Sequence, residues 1–118
     1  ERPVEPPGLP KSIGHETTFA TDLRARPLLT KELRDLSERV AQRLRQDGRY
    51  ARTVSIKVRF SDFDTVSRQR RTPHGVRSAD QIMNAAETLL DSLELRRSVR
   101  LLGVSVSDLI PFCQLSLF

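Results

Sequence analysis

The chain has 118 residues, of which 37% are hydrophobic and 30% charged, and its formal net charge at pH 7 is +5. This length gives room for one compact domain with a short tail and argues against two domains, while the excess of positive charge favours a polyanionic partner. The single Cys113 excludes an internal disulfide, and no apolar run is long enough for a signal sequence or a membrane span, so we expect a cytosolic (cytoplasmic) protein with no membrane partner.

The first part of the chain predicts a linker, a strand and a helix. Residues 1–10 contain four prolines, which is typical of a semi-rigid extended linker, here one that leaves a longer protein. Residues 11–19 alternate between two faces and predict a strand. A helix follows, with Thr30 as the expected N-cap, apolar residues at three- and four-residue spacing, and Gly48 at its end.

A strand hairpin is predicted in the middle of the chain. Apolar residues alternate with polar and basic ones over residues 54–61, which indicates a strand with one buried and one solvent-exposed face. Residues 62–64 can turn the chain into a more polar strand, 65–72, which residues 73–75 would end. In this turn Asp62 and Asp64 are expected to accept hydrogen bonds from turn amides rather than to bind a metal ion.

The last elements complete a β-α-β-β-α-β order. Ser78 is the expected N-cap of a second helix with one apolar stripe, and residues 99–107 predict the final strand. Two striped helices and four half-polar strands predict an α+β domain over residues 11–109. Its architecture would be a two-layer, ferredoxin-like sandwich, in which both helices cover one face of a four-stranded antiparallel sheet. Residues 110–118 are left as a C-terminal tail, because residues 108–113 contain a proline and lack a helical period.

The sheet face without helices is predicted to be small, polar and basic. Hydroxyls, guanidinium groups and backbone amides beside glycine donate hydrogen bonds to phosphate oxygens without reading base edges. Aromatic residues are scarce there, which disfavours stacking on unpaired bases. Residues 52–71 hold six basic and two acidic residues, whereas residues 78–95 hold four acidic residues and no Lys or Arg. A charged edge strand that merely keeps the protein soluble is an alternative interpretation of the same arginines.

Catalytic chemistry has little support in the sequence. His15 and Glu16 are neighbours on a strand, so they point to opposite faces and cannot form a dyad. His74 lies in a turn with no carboxylate or Cys at a useful spacing. No catalytic residue, metal site or cofactor site is therefore predicted in this chain.

Several segments, in order, resemble the C-terminal little finger domain of Y-family translesion DNA polymerases, most closely the bacterial DNA polymerase IV group. They are residues 11–14 after the proline-rich linker, 54–60, 65–72, 99–106 and the terminal 114–118. The resemblance implies a monomeric domain that holds the backbone of duplex primer-template DNA. Nucleotidyl transfer and its Mg²⁺ would belong to a palm domain that this chain lacks.

The residues that the resemblance assigns to DNA contact are Ser12, Gly14, Lys57, Arg59, Ser67, Arg68, Arg70, Arg71, Gly103 and Ser105. Two of these, Arg68 and Arg70, face the DNA only if a bulge or their edge position turns them outward, because strict alternation with Val66 directs them toward the helices.

The terminal residues form a motif of their own. Gln114, Leu115, Ser116, Leu117 and Phe118 resemble the peptide by which such polymerases bind the sliding clamp, the β subunit. The alternative is a last strand that folds back on its own sheet. For the domain as a whole, the alternative is a ferredoxin-like module of an unrelated protein that binds RNA or a small ligand, or that dimerises.

Overall fold

The computed structural model describes residues 11–95 and 97–111. Its elements are β1 (Ser12–Leu23), α1 (Arg26–Gln46), β2 (Arg49–Phe60), β3 (Thr65–Val76), α2 (Ala79–Asp91) and β4 (Val99–Pro111). The four strands form one sheet in the order β1-β4-β2-β3, and every neighbouring pair is antiparallel. The predicted α+β class, with four antiparallel strands and two helices, is confirmed.

One hydrophobic core joins both helices to one face of the sheet. On β2, every second residue from Val54 to Phe60 is at most 2% exposed. The helices complete this core with residues that are buried along one stripe of each, namely Leu29, Leu33, Leu36, Val40 and Leu44 from α1 and Ile82, Ala86 and Leu90 from α2. Burial of these side chains is the main force that holds the two layers together.

The two central strands, β4 and β2, are the ones richest in apolar core residues. Helix α1 connects β1 to β2 with β4 between them, and α2 connects β3 to β4 with β2 between them. Each helix therefore crosses over one inserted strand, and because such crossovers are right-handed, both helices lie on the same side of the sheet. The edge strands β1 and β3 are more exposed and more polar.

Of the three helix ends predicted from the sequence, two agree with the structure. The capping box of α2 is present: Gln81 N–H donates to the Ser78 hydroxyl, and Ser78 N–H donates to the Gln81 side chain. Gly48 follows the end of α1 with a φ of +65°, as expected for a glycine at a helix C-terminus. The prediction of Thr30 as the N-cap of α1 is wrong, because α1 begins at Arg26 after Ala25 and has a proline in its first turn, where the fixed φ suits a helix.

Two strands extend beyond their predicted ends. β3 continues through residues 73–75 to Val76, because Ala51 pairs with Val76 while Thr53 pairs with Arg71, which leaves residues 72–75 as a bulge. β4 continues to Pro111, which pairs with Arg49. Positions 110 and 111, assigned above to the tail, therefore belong to the sheet. The predicted linker 1–10 and the motif 114–118 lie outside the described residues.

Neither helix in residues 11–95 and 97–111 is long and apolar enough to cross a membrane.

Candidate nucleic-acid interface

The sheet face opposite the helices, called the open face below, is built from four rows of residues that run across the strands in the order β1, β4, β2, β3. The rows are Ser12–Ser107–Thr53–Arg71, Gly14–Ser105–Ser55–Gln69, Glu16–Gly103–Lys57–Ser67 and Thr18–Leu101–Arg59–Thr65. Leu101 is the one large aliphatic residue among these positions, and none of them is aromatic. The prediction of a small, polar surface with several basic groups is confirmed.

All of the predicted contact residues lie on this face except Arg68 and Arg70. Arg68 pairs with Ile56 and Arg70 with Val54, so both occupy the register of core-facing residues. The pairing of β2 with β3 is regular from Thr65 to Arg71, and no bulge turns these arginines outward. They remain exposed because β3 is an edge strand. We therefore correct their assignment: Arg68 and Arg70 lie on the helix side of the sheet.

Three cations lie on the open face, on the two strands at one side of it. Arg59 donates from Nε to the Thr65 hydroxyl at 3.0 Å, a contact that links neighbours in one row. Arg71 is exposed at the end of the first row. The ammonium group of Lys57 lies 3.3 Å from a carboxylate oxygen of Glu16, across Gly103. All three cations can donate to phosphate oxygens, and the two arginines can do so with two parallel hydrogen bonds.

A shallow depression of about 500 Å³ lies in the middle of the open face and is lined by Gly14, Ser55, Lys57, Gln69, Gly103 and Ser105, among others. A side chain at either glycine would be crowded by its neighbours. A Cβ on residue 14 would lie 2.9 Å from the Ser105 Cβ, and a Cβ on residue 103 would lie 3.1 Å from the Glu16 Cβ. Both glycines line the depression, and neither places a side chain in it.

Part of this surface was not predicted from the sequence. Ser55 and Gln69 line the same depression but were not among the predicted contacts. The alternation that selected Lys57 assigns Ser55 to the same face, and the pairing of Gln69 with Ser55 brings it there as well. Glu16 was correctly predicted to point away from His15, but its contact with Lys57 depends on the strand order and has no local sequence signal.

The β2–β3 turn is held by an ion-pair cluster at the edge of the open face. The predicted turn contact is confirmed, since Asp64 N–H donates to an Asp62 carboxylate oxygen at 3.2 Å. Arg97 in addition donates to Asp62 at 2.8 Å and to Asp64 at 3.2 Å, and its guanidinium carbon lies 4.2 Å from the centre of the Phe60 ring. The hydrogen bond from Arg97, assisted by that from Asp64 N–H, lowers the pKa of Asp62, and the same pairing raises the pKa of Arg97.

The remaining titratable candidates do not form a reactive site. His15 pairs with Val104 on the helix side of β1, whereas Glu16 lies on the open face, so the predicted separation of the two side chains is confirmed. His74 lies in the β3 bulge, where its carbonyl accepts a hydrogen bond from Thr72. Within residues 11–95 and 97–111, no group of three or more His, Cys, Asp or Glu residues has a geometry that could hold a metal ion.

Comparison with known proteins gives one consistent result. The sequence model described as the impB/mucB/samB family C-terminal domain matches residues 10–117. Among curated proteins, a DNA polymerase IV from Dehalococcoides mccartyi is 46% identical over 114 residues, which cover 95% of this chain and 28% of that protein. DNA polymerase IV 2 from Agrobacterium fabrum is 41% identical over 110 residues, covering 92% of this chain and 31% of that protein. The chain thus spans less than a third of these relatives.

Solved structures agree on the fold. A Y-family DNA polymerase chimera of Dbh and Dpo4 superimposes with a TM-score of 0.74 at 25% identity, over 93% of this chain and 31% of that one. The little finger domain of PolIV, solved in complex with the beta-clamp processivity factor, gives a TM-score of 0.69 at 22% identity, over 85% of this chain and 90% of that one.

Proposed function

The chain belongs to the impB/mucB/samB C-terminal domain family, the little finger domains of Y-family DNA polymerases of the DNA polymerase IV type, and on this premise we propose that its open face grips the backbone of duplex primer-template DNA. The observation that carries the proposal is the composition of that face: hydroxyls, glycines and the cations Lys57, Arg59 and Arg71 share one surface, while the helices cover the other. Phosphate contacts of this kind position a duplex without reading its sequence.

Three features of the open face favour backbone contacts over base readout. The rows contain no aromatic side chain for stacking, in contrast to sheets that bind unpaired bases. The depression beside the exposed Gly14 lets another backbone approach closely. The acidic helix α2 belongs to the layer on the opposite side of the sheet, so its carboxylates are directed away from a bound polyanion.

The experiment that tests this proposal compares two double variants with the same change in charge. Arg59→Ala/Arg71→Ala removes cations from the open face, and Arg68→Ala/Arg70→Ala removes cations from the helix side of the same hairpin. Binding to labelled duplexes of different sequence is measured at several salt concentrations. We expect the first variant to lose up to about 0.9 units of log–log salt slope per phosphate contact removed, equally for all duplexes. The second variant should lose less.

Equal losses in both variants would show that net charge, and not the open face, drives binding. A chain that ignores duplex DNA but binds RNA or a small ligand would reject the proposal in favour of the alternative module described above.

We also propose that residues 114–118 dock into a hydrophobic groove of the sliding clamp. The support is the resemblance of Gln-Leu-Ser-Leu-Phe to a clamp-binding peptide, together with the structural similarity to a little finger domain solved with the beta-clamp. β4 ends at Pro111, so the motif begins three residues beyond the last described position. A peptide that adds apolar anchors to a DNA-gripping domain would tether the polymerase to the clamp while the sheet holds the duplex.

Finally, we propose that this domain contributes binding and not catalysis. The curated relatives are DNA polymerases in which the matched segment makes up 28% to 31% of the chain. Nucleotidyl transfer with Mg²⁺ would then take place in the other part of such a polymerase, which corresponds to the palm domain of the resemblance.

A further inference from the structure

An ion pair crosses the middle of the open face. Lys57 on β2 and Glu16 on β1 belong to strands that are separated by β4, and both pair with the same residue, Gly103. Their side chains meet over this glycine, with the ammonium nitrogen 3.3 Å from a carboxylate oxygen. The two side chains are 41% and 51% exposed, so water reaches the pair from above. An ion pair this exposed contributes little to stability and opens readily.

Gly103 is the residue that permits this contact. A Cβ on residue 103 would lie 3.1 Å from the Glu16 Cβ and 3.6 Å from both the Glu16 carboxylate oxygen and the Lys57 Cβ. Although Gly103 belongs to the open face, it is buried. Its backbone is therefore covered from above by the two charged side chains, and a ligand reaches it only when the pair separates.

The pair also determines the charge that the open face presents. Lys57 lies in the row next to Arg59 and beside Ser67 and Ser55, which are donors suited to a phosphate. Glu16 is the one acidic residue in the four rows. A carboxylate and a phosphate are both anionic oxygen acceptors, so both can bind the Lys57 ammonium group. A backbone phosphate that approaches Lys57 over Gly103 would therefore compete with the Glu16 carboxylate for the ammonium group.

We propose that Glu16 competes with the DNA phosphate for Lys57. Glu16 pairs with Lys57 in the free domain and releases it when duplex DNA binds. The inference rests on the proposed function and adds a feature that limits the affinity for duplex DNA. On binding, Lys57 exchanges its ion pair with Glu16 for one with a phosphate. Duplex binding is therefore weaker, and depends less on salt, than it would be without Glu16. Such a limit suits a domain that must release the duplex at each step along it.

The test uses the 118-residue chain and measures binding to one labelled duplex between about 50 and 200 mM NaCl, a range over which binding that depends on phosphate contacts weakens strongly. Glu16→Gln removes the competing charge and keeps the size of the side chain. Glu38→Gln makes the same change of charge at an exposed position of α1, in the helix layer. We expect Glu16→Gln to tighten binding about threefold to tenfold at the lowest salt, and Glu38→Gln to change it by less than about twofold.

A second pair of variants tests the exchange itself. Lys57→Ala should weaken binding only slightly when Glu16 is present, because Lys57 is already paired. In the Glu16→Gln background the same substitution should weaken binding several-fold and reduce the log–log salt slope by up to about 0.9. Thermal melts of all variants confirm that they are folded.

The outcomes separate this inference from the proposed function. Equal effects of Lys57→Ala in both backgrounds, or equal effects of Glu16→Gln and Glu38→Gln, would overturn the competitor role while leaving duplex binding established. If neither the wild-type chain nor Glu16→Gln binds duplex DNA, the proposed function itself is rejected.

Discussion

Gly14 and Ser105 lie opposite each other on β1 and β4, so close that a Cβ added to residue 14 would lie 2.9 Å from the Ser105 Cβ. We expect Gly14→Ala to destabilise the domain by roughly 1 kcal/mol or more, because the edge strand or Ser105 must move. Urea unfolding measures this. Ser12→Ala, on the same face of β1, is the control because residue 12 already has a Cβ.

The alternative outcome is that Gly14→Ala raises the free energy of unfolding. In a strand without a steric conflict, replacing Gly by Ala stabilises by roughly 0.5–1 kcal/mol, since the unfolded chain loses conformational freedom. A stabilised Gly14→Ala variant would therefore contradict the close approach of the two strands. The variant should also bind duplex DNA more weakly, because it fills part of the depression on the open face.

The second prediction concerns the two helix starts. The Ser78 hydroxyl accepts a hydrogen bond from Gln81 N–H at 3.1 Å, so Ser78→Ala should cost about 1 kcal/mol of unfolding free energy. Thr30 lies inside α1, where its hydroxyl accepts a hydrogen bond from Arg26 and caps no backbone N–H of the helix start, so Thr30→Ala should cost less than about 0.5 kcal/mol. Urea unfolding of both variants distinguishes a cap from an internal threonine, and a larger loss for Thr30→Ala would contradict the start of α1 at Arg26.

These helix starts show which features a sequence can predict. Ser78 is followed by Gln81 and an apolar stripe, and these local signals agree, so the cap of α2 was predicted correctly. At α1, Thr30 is a good N-cap by residue type, but Pro27 is compatible with the first turn and the helix starts a turn earlier without any side-chain cap. The longer ends of β3 and β4 depend on pairing with the start of β2, which lies far away in the sequence.

The third prediction follows from the lowered pKa of Asp62. Because its pKa in the folded protein is below the ordinary value of 3.8, the ionised carboxylate stabilises the fold fully above that pH, and this contribution is lost as the pH falls through the folded pKa. Arg97→Met removes the main cause of the shift and keeps an apolar stem over the Phe60 ring. The variant should be less stable than wild type at pH 7, and the difference should shrink below about pH 3.8.

Urea unfolding of both proteins between pH 7 and pH 2.5 or so tests this dependence. Arg100→Met is the matched control: Arg100 also lies over an aromatic ring, that of Phe63, but its nearest carboxylate oxygen, on Asp22, is 4.0 Å away. A stability difference for Arg97→Met that stays constant with pH would assign the effect to packing on Phe60 and not to the ion pair.

The open face shows which features strand alternation predicts and which it does not. Period-two alternation placed Lys57 and Arg59 correctly. It was also right for Arg68 and Arg70, which the resemblance had assigned to DNA contact. The sequence could not predict which strands lie next to each other in the sheet. Lys57 and Glu16 are 41 positions apart and meet only because β4 inserts between their strands with a glycine at the crossing point. That contact depends on topology, for which no local pattern exists.

The fourth prediction is that the 118-residue chain incorporates no nucleotide and cleaves no DNA with Mg²⁺ or Mn²⁺. Phosphoryl transfer of this kind needs clustered carboxylates that hold metal ions against a phosphate. Within residues 11–95 and 97–111 the paired aspartates of the β2–β3 turn are bound to Arg97 instead. Primer-extension and nuclease assays on a homogeneous preparation check this. Metal-dependent nucleotide incorporation that co-purifies with the chain would contradict the proposal that this domain contributes binding and not catalysis.

The last prediction concerns clamp binding by residues 114–118. Burying an apolar side chain contributes roughly 1.5–3 kcal/mol, so Leu115, Leu117 and Phe118 together suffice for micromolar affinity after the cost of ordering a flexible peptide. Leu117→Ala/Phe118→Ala should therefore abolish binding to a purified bacterial sliding clamp in calorimetric titration. Ser116→Ala, in the same motif but without an apolar anchor, should leave the affinity within about threefold.

The thermal stability of these variants decides between the two interpretations of the motif. If the peptide serves the clamp, Leu117→Ala/Phe118→Ala keeps the melting temperature and the duplex affinity of the wild-type chain. If residues 114–118 instead fold back as a further strand, the same substitution removes buried apolar surface and lowers the melting temperature by several degrees, about 4–8 °C for each kcal/mol in a domain of this size. Clamp binding would then be absent from the wild-type chain as well. Because the two interpretations predict opposite results in both measurements, one pair of proteins is sufficient to assign the motif.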